Sequence, residues 1–345
     1  MRASRRSRRE WHIILWVSVA SAAISAVFGY RVAPEGESAL LSALIGVATS
    51  LTVATPILVV AARERRMAGF RRLRRLPLAI YFAVKVLFYF VVIIGGLILA
   101  RHLFSPGGMQ FDDVFRRSIV FAIAMSVAGN LIFTIGSLLG FGTLKNLFTG
   151  RYVRPRREQR AFLLIDLKDS TGLAERLGPV RFHELLNAFF RDVDEAALEC
   201  DAEIHKYVGD EAILTWPDGD VSADGNCLAC PFLVRDAIAA SATQYRERFG
   251  VVPEFRAALH RGEIVAGEIG DVRREIAYVG DTLNVAARLL DAAKDSGHDI
   301  LVSKDLLDRI PLPADLDTEP LSTLTVRGRI APLAIAALKQ ISAAT

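Results

Sequence analysis

The distribution of apolar residues divides the chain into two parts at about residue 141. Before that point the sequence is dominated by long apolar runs with few charges, which cover residues 12–30, 39–62, 76–100 and 118–141. Each run is close to the ~20 residues that an α-helix needs to cross the hydrocarbon core of a bilayer. The pattern therefore predicts a transmembrane domain of four helices within residues 1–141.

The second part of the chain alternates short strand patterns with amphipathic helix patterns. In chain order these are a strand over Ala161–Asp166, a helix over Val180–Glu199, a hairpin over Lys206–Trp216 with its turn at Gly209–Asp210, a helix over Leu228–Arg248, a second hairpin over Phe255–Gly270 and a helix over Asp281–Lys294. The order β-α-β-β-α-β is the ferredoxin-like arrangement, here with additions after it. We expect residues 161–345 to form one α+β domain.

Residues 142–160 join the two parts and are rich in basic side chains. Gly150 and Pro155 interrupt any continuous helix, and the arginines of this stretch, up to and including Arg160, are expected to lie at the membrane surface. Two interpretations stay open. The stretch is either a solvated basic linker or an element that transmits movement of the membrane helices to the second domain.

The arginines also predict the orientation in the membrane. Five of them precede the first apolar run and seven lie in residues 63–75, whereas the connections at 31–38 and 101–117 carry few. By the positive-inside rule both termini are cytoplasmic, which places a multi-pass protein in the plasma (inner) membrane. The short outer connections have no room for a ligand-binding domain, so any unidentified regulator acts through the membrane or the cytoplasm.

Composition supports the membrane interpretation. Hydrophobic residues make up 52% of the chain, more than an ordinary soluble protein contains, and the formal net charge is +4. Because the arginine runs flank apolar spans, they favour contact with anionic membrane lipid, and nucleic acid is not expected as a partner. Cys227 and Cys230 have the spacing of zinc ligands, but no second pair follows, so packing at a helix start is the better interpretation.

Two aspartates follow apolar strands in the second domain. Asp166 ends the run AFLLID, and Asp210 lies at the tip of the hairpin KYVGDEAILTW. Strand ends that deliver two carboxylates to one place make an oxygen-rich site for a hard cation such as Mg²⁺. The loop after Asp166 contains Asp169 and opens a helix at Ser170–Thr171, where free backbone N–H groups can hold phosphate. This combination predicts two-metal chemistry on a nucleotide.

The helix pattern from Asp281 places Asn284 and Arg288 on one face, four residues apart. A planar guanidinium that is always charged suits a pentavalent phosphorus transition state. With the two aspartates, these residues resemble the catalytic domain of the class III nucleotide cyclases. The resemblance runs from about Arg160 to Leu338 and rests on the strings LLIDLKDST, KYVGDEAIL, LHRGEIVAGEIG and YVGDTLNVAARL, in that order.

The resemblance implies a membrane-anchored adenylate cyclase of the bacterial type, which converts ATP to 3′,5′-cyclic AMP and pyrophosphate on that family's ferredoxin-like catalytic core. It implies two divalent cations per site, Mg²⁺ or Mn²⁺, held by Asp166, Asp210 and the backbone carbonyl of Leu167. Lys206 matches the residue that contacts adenine in adenylate cyclases. Ala277 occupies the second base-selecting position, where a methyl group cannot accept from the adenine amino group.

The same resemblance gives Asn284 the task of orienting the ribose and Arg288 that of stabilising transition-state charge. Arg327 or Arg329 would hold the triphosphate, and the sequence does not decide between them. In this family the metal-binding aspartates come from one subunit and the asparagine and arginine from the other. One full set of motifs per chain therefore implies a homodimer with two equivalent composite sites.

Two other functions compete with this interpretation. A diguanylate cyclase is the nearest enzymatic rival because YVGDE resembles that family's GGDEF turn, but the first glycine is absent and Asn284 and Arg288 have no place in it. A membrane receptor whose second domain only binds nucleotide is the rival from another class. Ala277 is its only support, and the intact pair of aspartates argues against it.

Overall fold

The computed structural model describes residues 5–33, 38–63, 76–104, 113–219, 225–272, 274–325 and 332–341. The chain separates into two compact units, Met1–Leu139 and Gly140–Thr345. Each unit is described by itself below.

The first unit contains four long helices among its described residues. They are α1 (Arg5–Arg31), α2 (Ala39–Arg63), α3 (Leu78–Phe104) and α4 (Asp113–Leu139). With 25 to 27 residues each, they are about 38–40 Å long, which exceeds the ~30 Å hydrocarbon thickness of a bilayer. By length and apolar composition, two segments qualify as candidate membrane spans, Ile14–Arg31 and Ala79–Gly96.

The end of the fourth apolar run differs from the prediction. We expected the helix to continue to residue 141, but α4 ends at Leu139 and a separate helix, α5 (Phe141–Thr149), begins after Gly140. Gly140 has a φ of 86°, outside the helical region, so it interrupts the helix. The stretch 142–160 therefore consists mainly of a helix, a short turn and the beginning of a strand.

An eight-stranded sheet forms the framework of the second unit. Its strands are β1 (Arg156–Leu167), β2 (Glu203–Val208), β3 (Glu211–Pro217), β4 (Phe255–Ile269), β5 (Glu275–Val279), β6 (Ile300–Ser303), β7 (Leu316–Pro320) and β8 (Ile335–Gln340). The order across the sheet is β2-β3-β1-β4-β6-β8-β7, and β5 pairs with β4 off this path. The first four strands thus have the order of a ferredoxin-like fold, in agreement with the sequence prediction.

The helices of this unit cover both faces of the sheet. After α5 they are α6 (Ser170–Glu199), α7 (Asn226–Ala240), α8 (Ala242–Phe249), α9 (Asp281–Asp295) and α10 (Lys304–Leu307). One apolar core joins one face of the sheet to α6, α7 and α8, through residues such as Leu163, Ile165, Phe189, Leu214 and Val234. The other joins the opposite face to α9, through residues such as Phe162, Leu164, Ala258, Val285 and Leu289.

Because side chains alternate between the faces of a strand, successive residues of β1 pack in one core and then in the other. Phe162 and Leu164 lie on the α9 face, so Arg160 and Asp166, at even spacing from them, belong to the same face. The α9 face therefore carries a charged residue near each end of β1, with an apolar centre between them.

Some predicted elements differ in extent from the observed ones; β1, for example, begins at Arg156 and not at Ala161. The helix expected from Val180 begins ten residues earlier, at Ser170, and is kinked at Gly178; the helix expected over 228–248 is divided at Ser241 into α7 and α8. The second hairpin, expected over 255–270, is wrong: these residues form the single strand β4. Gly262 stays within the strand because it pairs in register with Arg160 of β1, and the hairpin lies instead between β4 and β5.

Candidate functional site

Three carboxylates meet where β1 ends beside the β2–β3 hairpin. The hairpin has the predicted turn, with β2 ending at Val208 and β3 beginning at Glu211. Asp166 pairs in register with Glu211, so Asp210, one residue earlier, lies beside the end of β1. The structure thus brings together the two aspartates that the sequence identified and adds Glu211 as an acidic neighbour.

The proximity of these carboxylates changes their electrostatics. Burial, followed by the negative charge of Asp210 and a hydrogen bond with it, raises the pKa of Asp166 to about 6. Burial and the charges of Asp166 and Asp210 raise the pKa of Glu211 to about 7. Lys294 of α9 acts in the opposite direction on both groups. Negative charge is concentrated here, and a bound cation would offset it.

Glu211 was missed in the sequence because its own neighbours give no sign of a role. The useful signal was the strand register: a residue paired opposite Asp166 must lie close to it.

The donor atoms at this place suit a hard divalent cation. Asp166 and Asp210 offer carboxylate oxygens, and Leu167, the next residue of β1, offers a backbone carbonyl. Within the residues that the structure describes, no group of three or more His, Cys, Asp or Glu side chains is arranged to hold a metal ion.

The loop after β1 leads directly into α6, whose first residue is Ser170. Asp169 precedes the helix with a φ of 52°, and its backbone carbonyl accepts a hydrogen bond from the N–H of Leu173 at 2.8 Å. The Asp169 carboxylate accepts from Arg176 at 3.0 Å. The groups of this loop that can bind phosphate are therefore the backbone N–H groups at Ser170 and Thr171, since the Asp169 side chain is negative and occupied by an arginine.

Strand β2 carries Lys206 and strand β5 carries Ala277, the two expected base-selecting residues, and an ion pair links these strands. The ammonium group of Lys206 donates to Oε1 of Glu275 at 3.1 Å. Ala277 lies two residues after Glu275 on β5 and pairs with Gly267 of β4. The imidazole of His205 stacks on the ring of Tyr278, with 4.4 Å between ring centroids. Burial lowers the pKa of His205 to about 4, and the charges of Lys206 and Arg160 act in the same direction.

A buried arginine lies beside this region. Only 1% of the Arg160 side chain is exposed, so its expected position at the membrane surface is wrong. Its guanidinium donates to Glu203, to Glu158 at 3.2 Å and to Thr215 at 3.0 Å, and lies 5.0 Å from the ring of Tyr278. Strong pairing compensates the burial of the charge, and the network fixes β1, β2 and β5 relative to one another.

The exposed stripe of α9 carries Asn284 and Arg288. Lys294, whose charge reaches the acidic group, lies further along the same helix. Asn284 precedes Lys294 by ten residues, which corresponds to about 15 Å along a helix axis. Asn284 and Arg288 therefore face solvent on earlier turns of α9 than Lys294.

The remaining predicted positions add little to the site. Arg327 and Arg329 lie outside the described residues. Cys200, Cys227 and Cys230 are free thiols in the core. Burial raises the pKa of Cys227 to about 12, so this thiol stays protonated at neutral pH, as a packing residue would.

Comparison with known proteins adds independent findings. Residues 153–335 match the family described as the adenylate and guanylate cyclase catalytic domain. Adenylate cyclase 2 of Rhizobium meliloti (strain 1021) is 36% identical over 304 residues, which cover 86% of this chain and 83% of that protein. Adenylate cyclase 1 of the same organism is 28% identical over 222 residues, and the match covers only 32% of its length.

Among solved structures, a bacterial light-regulated adenylyl cyclase superposes with a TM-score of 0.52 at 12% identity, over 67% of this chain and 66% of that one. At this level of identity the likeness concerns the fold alone.

Proposed function

The chain belongs to the family of adenylate and guanylate cyclase catalytic domains, and on that premise we propose that it is a membrane-anchored adenylate cyclase that forms cyclic AMP and pyrophosphate from ATP. The observation that carries the choice of reaction is the pair Asp166 and Asp210, placed together by β1 and the β2–β3 hairpin. The choice of ATP is supported by Lys206 and by the 36% identity to an adenylate cyclase over most of the chain.

The acidic residues would bind the cations that act on the attacking and leaving oxygens of the substrate. Asp166, Asp210 and the carbonyl of Leu167 would hold two divalent cations, for which their oxygen atoms and concentrated charge are suited. When bound, such cations lower the pKa of the ribose 3′-hydroxyl and offset the charge of the pyrophosphate leaving group. The N–H groups at Ser170 and Thr171 would bind phosphate oxygens at the start of α6.

The residues of α9 would act on the sugar and on the reacting phosphorus. Asn284 has an amide that can orient the ribose by accepting from and donating to its oxygens. Arg288 would stabilise the negative charge that develops around the pentavalent phosphorus. Because that charge exists only in the transition state, a guanidinium positioned beside it would stabilise mainly the transition state. Arg327 or Arg329 would hold the triphosphate.

The positions of these groups support a site made by two chains. Asn284 and Arg288 face solvent, and they precede by several residues the part of α9 that lies near the acidic group of the same chain. In a symmetric dimer each copy would supply its carboxylates to one site and its Asn284 and Arg288 to the other. Membrane helices that hold two copies together would raise their effective concentration.

Membrane anchoring is supported by the first unit. Large apolar side chains are exposed on its helices, among them Trp16 at 70%, Leu40 at 71% and Leu87 at 63%. Lipid tails would cover such a surface, and the flanking arginines would contact anionic headgroups. We infer four transmembrane helices, both termini in the cytoplasm and a catalytic domain at the inner face of the plasma membrane, with any regulator acting through the helices or the junction at 142–160.

The test is the product formed by the purified full-length chain. Incubated with ATP and Mn²⁺ or Mg²⁺, it should form cyclic AMP, detected by chromatography and mass spectrometry, and Asp210→Ala should not. Formation of a cyclic dinucleotide from GTP would indicate a diguanylate cyclase instead. Binding of ATP with no product from either nucleotide would indicate a receptor.

A further inference from the structure

Strand β5 presents two residues to the region where a base would bind, and only one of them can form a polar contact. Glu275 and Ala277 are two residues apart, so their side chains project from the same face of the strand. The methyl group of Ala277 has no acceptor to offer the amino group of adenine. Glu275 is the nearest residue on that face of β5 whose side chain carries a hydrogen-bond acceptor.

Glu275 is already joined to the residue assigned to the base. Oε1 of Glu275 lies 3.1 Å from the ammonium nitrogen of Lys206, although 69 residues separate the two along the chain. Both side chains are accessible, at 45% for Lys206 and 38% for Glu275. Both ends of the pair are therefore open to solvent, so a ligand can reach them.

Neighbouring residues hold the two strands in place behind this pair. His205, adjacent to Lys206, stacks on Tyr278 with an interplanar angle of 26°. Arg160 contacts the ring of Tyr278 and pairs with Glu203, at the start of β2. Lys206 and Glu275 thus project from strands that are packed together, which distinguishes them from an ion pair between two mobile surface side chains.

The chemistry of the pair matches one edge of adenine. That edge presents a ring nitrogen, which accepts, beside an amino group, which donates. An ammonium group only donates and a carboxylate only accepts, so one of each is complementary to this edge. A site that pairs with a donor also discriminates against a base that places an oxygen there.

We propose that Glu275 is a specificity-determining residue, and that its carboxylate accepts from the amino group of adenine while Lys206 donates to the neighbouring ring nitrogen. This rests on the proposed function, since it requires ATP as the substrate. Glu275 thereby replaces the acceptor that is missing at Ala277. In the structure the ammonium group of Lys206 and the carboxylate of Glu275 pair with one another.

The experiment compares two triphosphates on the full-length enzyme, ATP and purine riboside triphosphate, which lacks the amino group. In Glu275→Ala, kcat/KM for ATP should fall at least about tenfold, the value of a hydrogen bond to a charged group, whereas kcat/KM for purine riboside triphosphate should change less than about twofold. Glu275→Gln keeps the length of the side chain and adds an amide donor, so it should raise the use of GTP relative to ATP.

A matched control is provided by Glu319, which pairs with Lys339 across β7 and β8 at the opposite end of the sheet. Glu319→Gln removes a similar cross-strand ion pair and should leave kcat/KM for both triphosphates at the wild-type value. Equal losses on both triphosphates in Glu275→Ala, or no loss on ATP, would overturn the proposal. So would an unchanged ratio of GTP to ATP use in Glu275→Gln. If the wild type forms no cyclic AMP at all, the proposed function itself fails, and the role of Glu275 falls with it.

Discussion

Asp192 is a carboxylate of the core, with only 3% of its surface exposed. The hydroxyl of Tyr245 donates to it at 2.7 Å, joining α6 to α8. Burial raises the pKa of Asp192 despite this hydrogen bond. Because the folded chain then binds this proton more tightly than the unfolded chain, the group's contribution to the free energy of unfolding falls as pH rises from about 4 through the raised pKa.

We predict that Tyr245→Phe destabilises the catalytic domain, by about 1.5–3 kcal/mol at pH 8. The variant removes a hydrogen-bond donor to the ionised Asp192, so the pKa of Asp192 rises further. The loss of unfolding free energy is therefore smaller at pH 5, where more of this carboxyl is protonated. The measurement is the free energy of unfolding against pH. Tyr207→Phe is the control: Tyr207 is an exposed residue that donates to Asp194, so its substitution should cost less than about 0.5 kcal/mol. A loss independent of pH would mean that packing, and not the hydrogen bond to Asp192, accounts for the effect.

At the residue scale, local motifs could identify Asp166 and Asp210 because each lies in a recognisable strand end or turn. Glu211, Glu275 and Arg160 could not be found in this way. Glu275 contacts Lys206 only because β5 approaches β2, and the buried Arg160 pairs with Glu203, 43 residues away. Such contacts depend on tertiary structure, which the sequence around each residue does not contain.

The kink in α6 depends on one glycine. Gly178 has φ 73° and ψ 162°, a conformation that is essentially restricted to glycine, and Pro179 follows it. This break lets the first turns, at the candidate phosphate site, take a direction different from that of the buried part of the helix.

We predict that Gly178→Asn lowers the free energy of unfolding by about 1–3 kcal/mol, because the new side chain must adopt that strained conformation. The control is Gly250→Asn. Gly250 has φ 75° and ψ 6°, a left-handed conformation that asparagine tolerates well, so a smaller loss is expected there. Equal losses at the two positions, measured by chemical denaturation, would contradict the assignment of strain to Gly178.

At the scale of elements, the prediction succeeded where the signal was local. The turn at Gly209–Asp210 was predicted correctly because a glycine before an aspartate between two strands specifies it. The hairpin predicted near Gly262 was wrong because β1 pairs continuously with β4 through that glycine. Pairing with a distant strand decides such a case, and one segment of sequence does not reveal it.

For the whole molecule, the arginine distribution predicts which side of the membrane each connection occupies. In intact spheroplasts, a membrane-impermeant thiol reagent should label Glu35→Cys but not Gly69→Cys, which should react only after permeabilisation. The native cysteines are buried in the core, so they should contribute little background. The reverse pattern of labelling would contradict the proposed orientation.

The proposed enzyme is a nucleotide cyclase in which each active site contains residues from two copies of the chain. Asp210→Ala and Arg288→Ala should each lower cyclic AMP formation at least about a hundredfold, because each removes stabilisation of the transition state. A dimer containing one copy of each variant has one site with every group intact.

The decisive measurement is therefore the rate of cyclic AMP formation by that mixed dimer, purified through a different affinity tag on each copy. We predict about half the wild-type rate, since one of the two equivalent sites is intact. A verified mixed dimer that is as inactive as its two parents would contradict it.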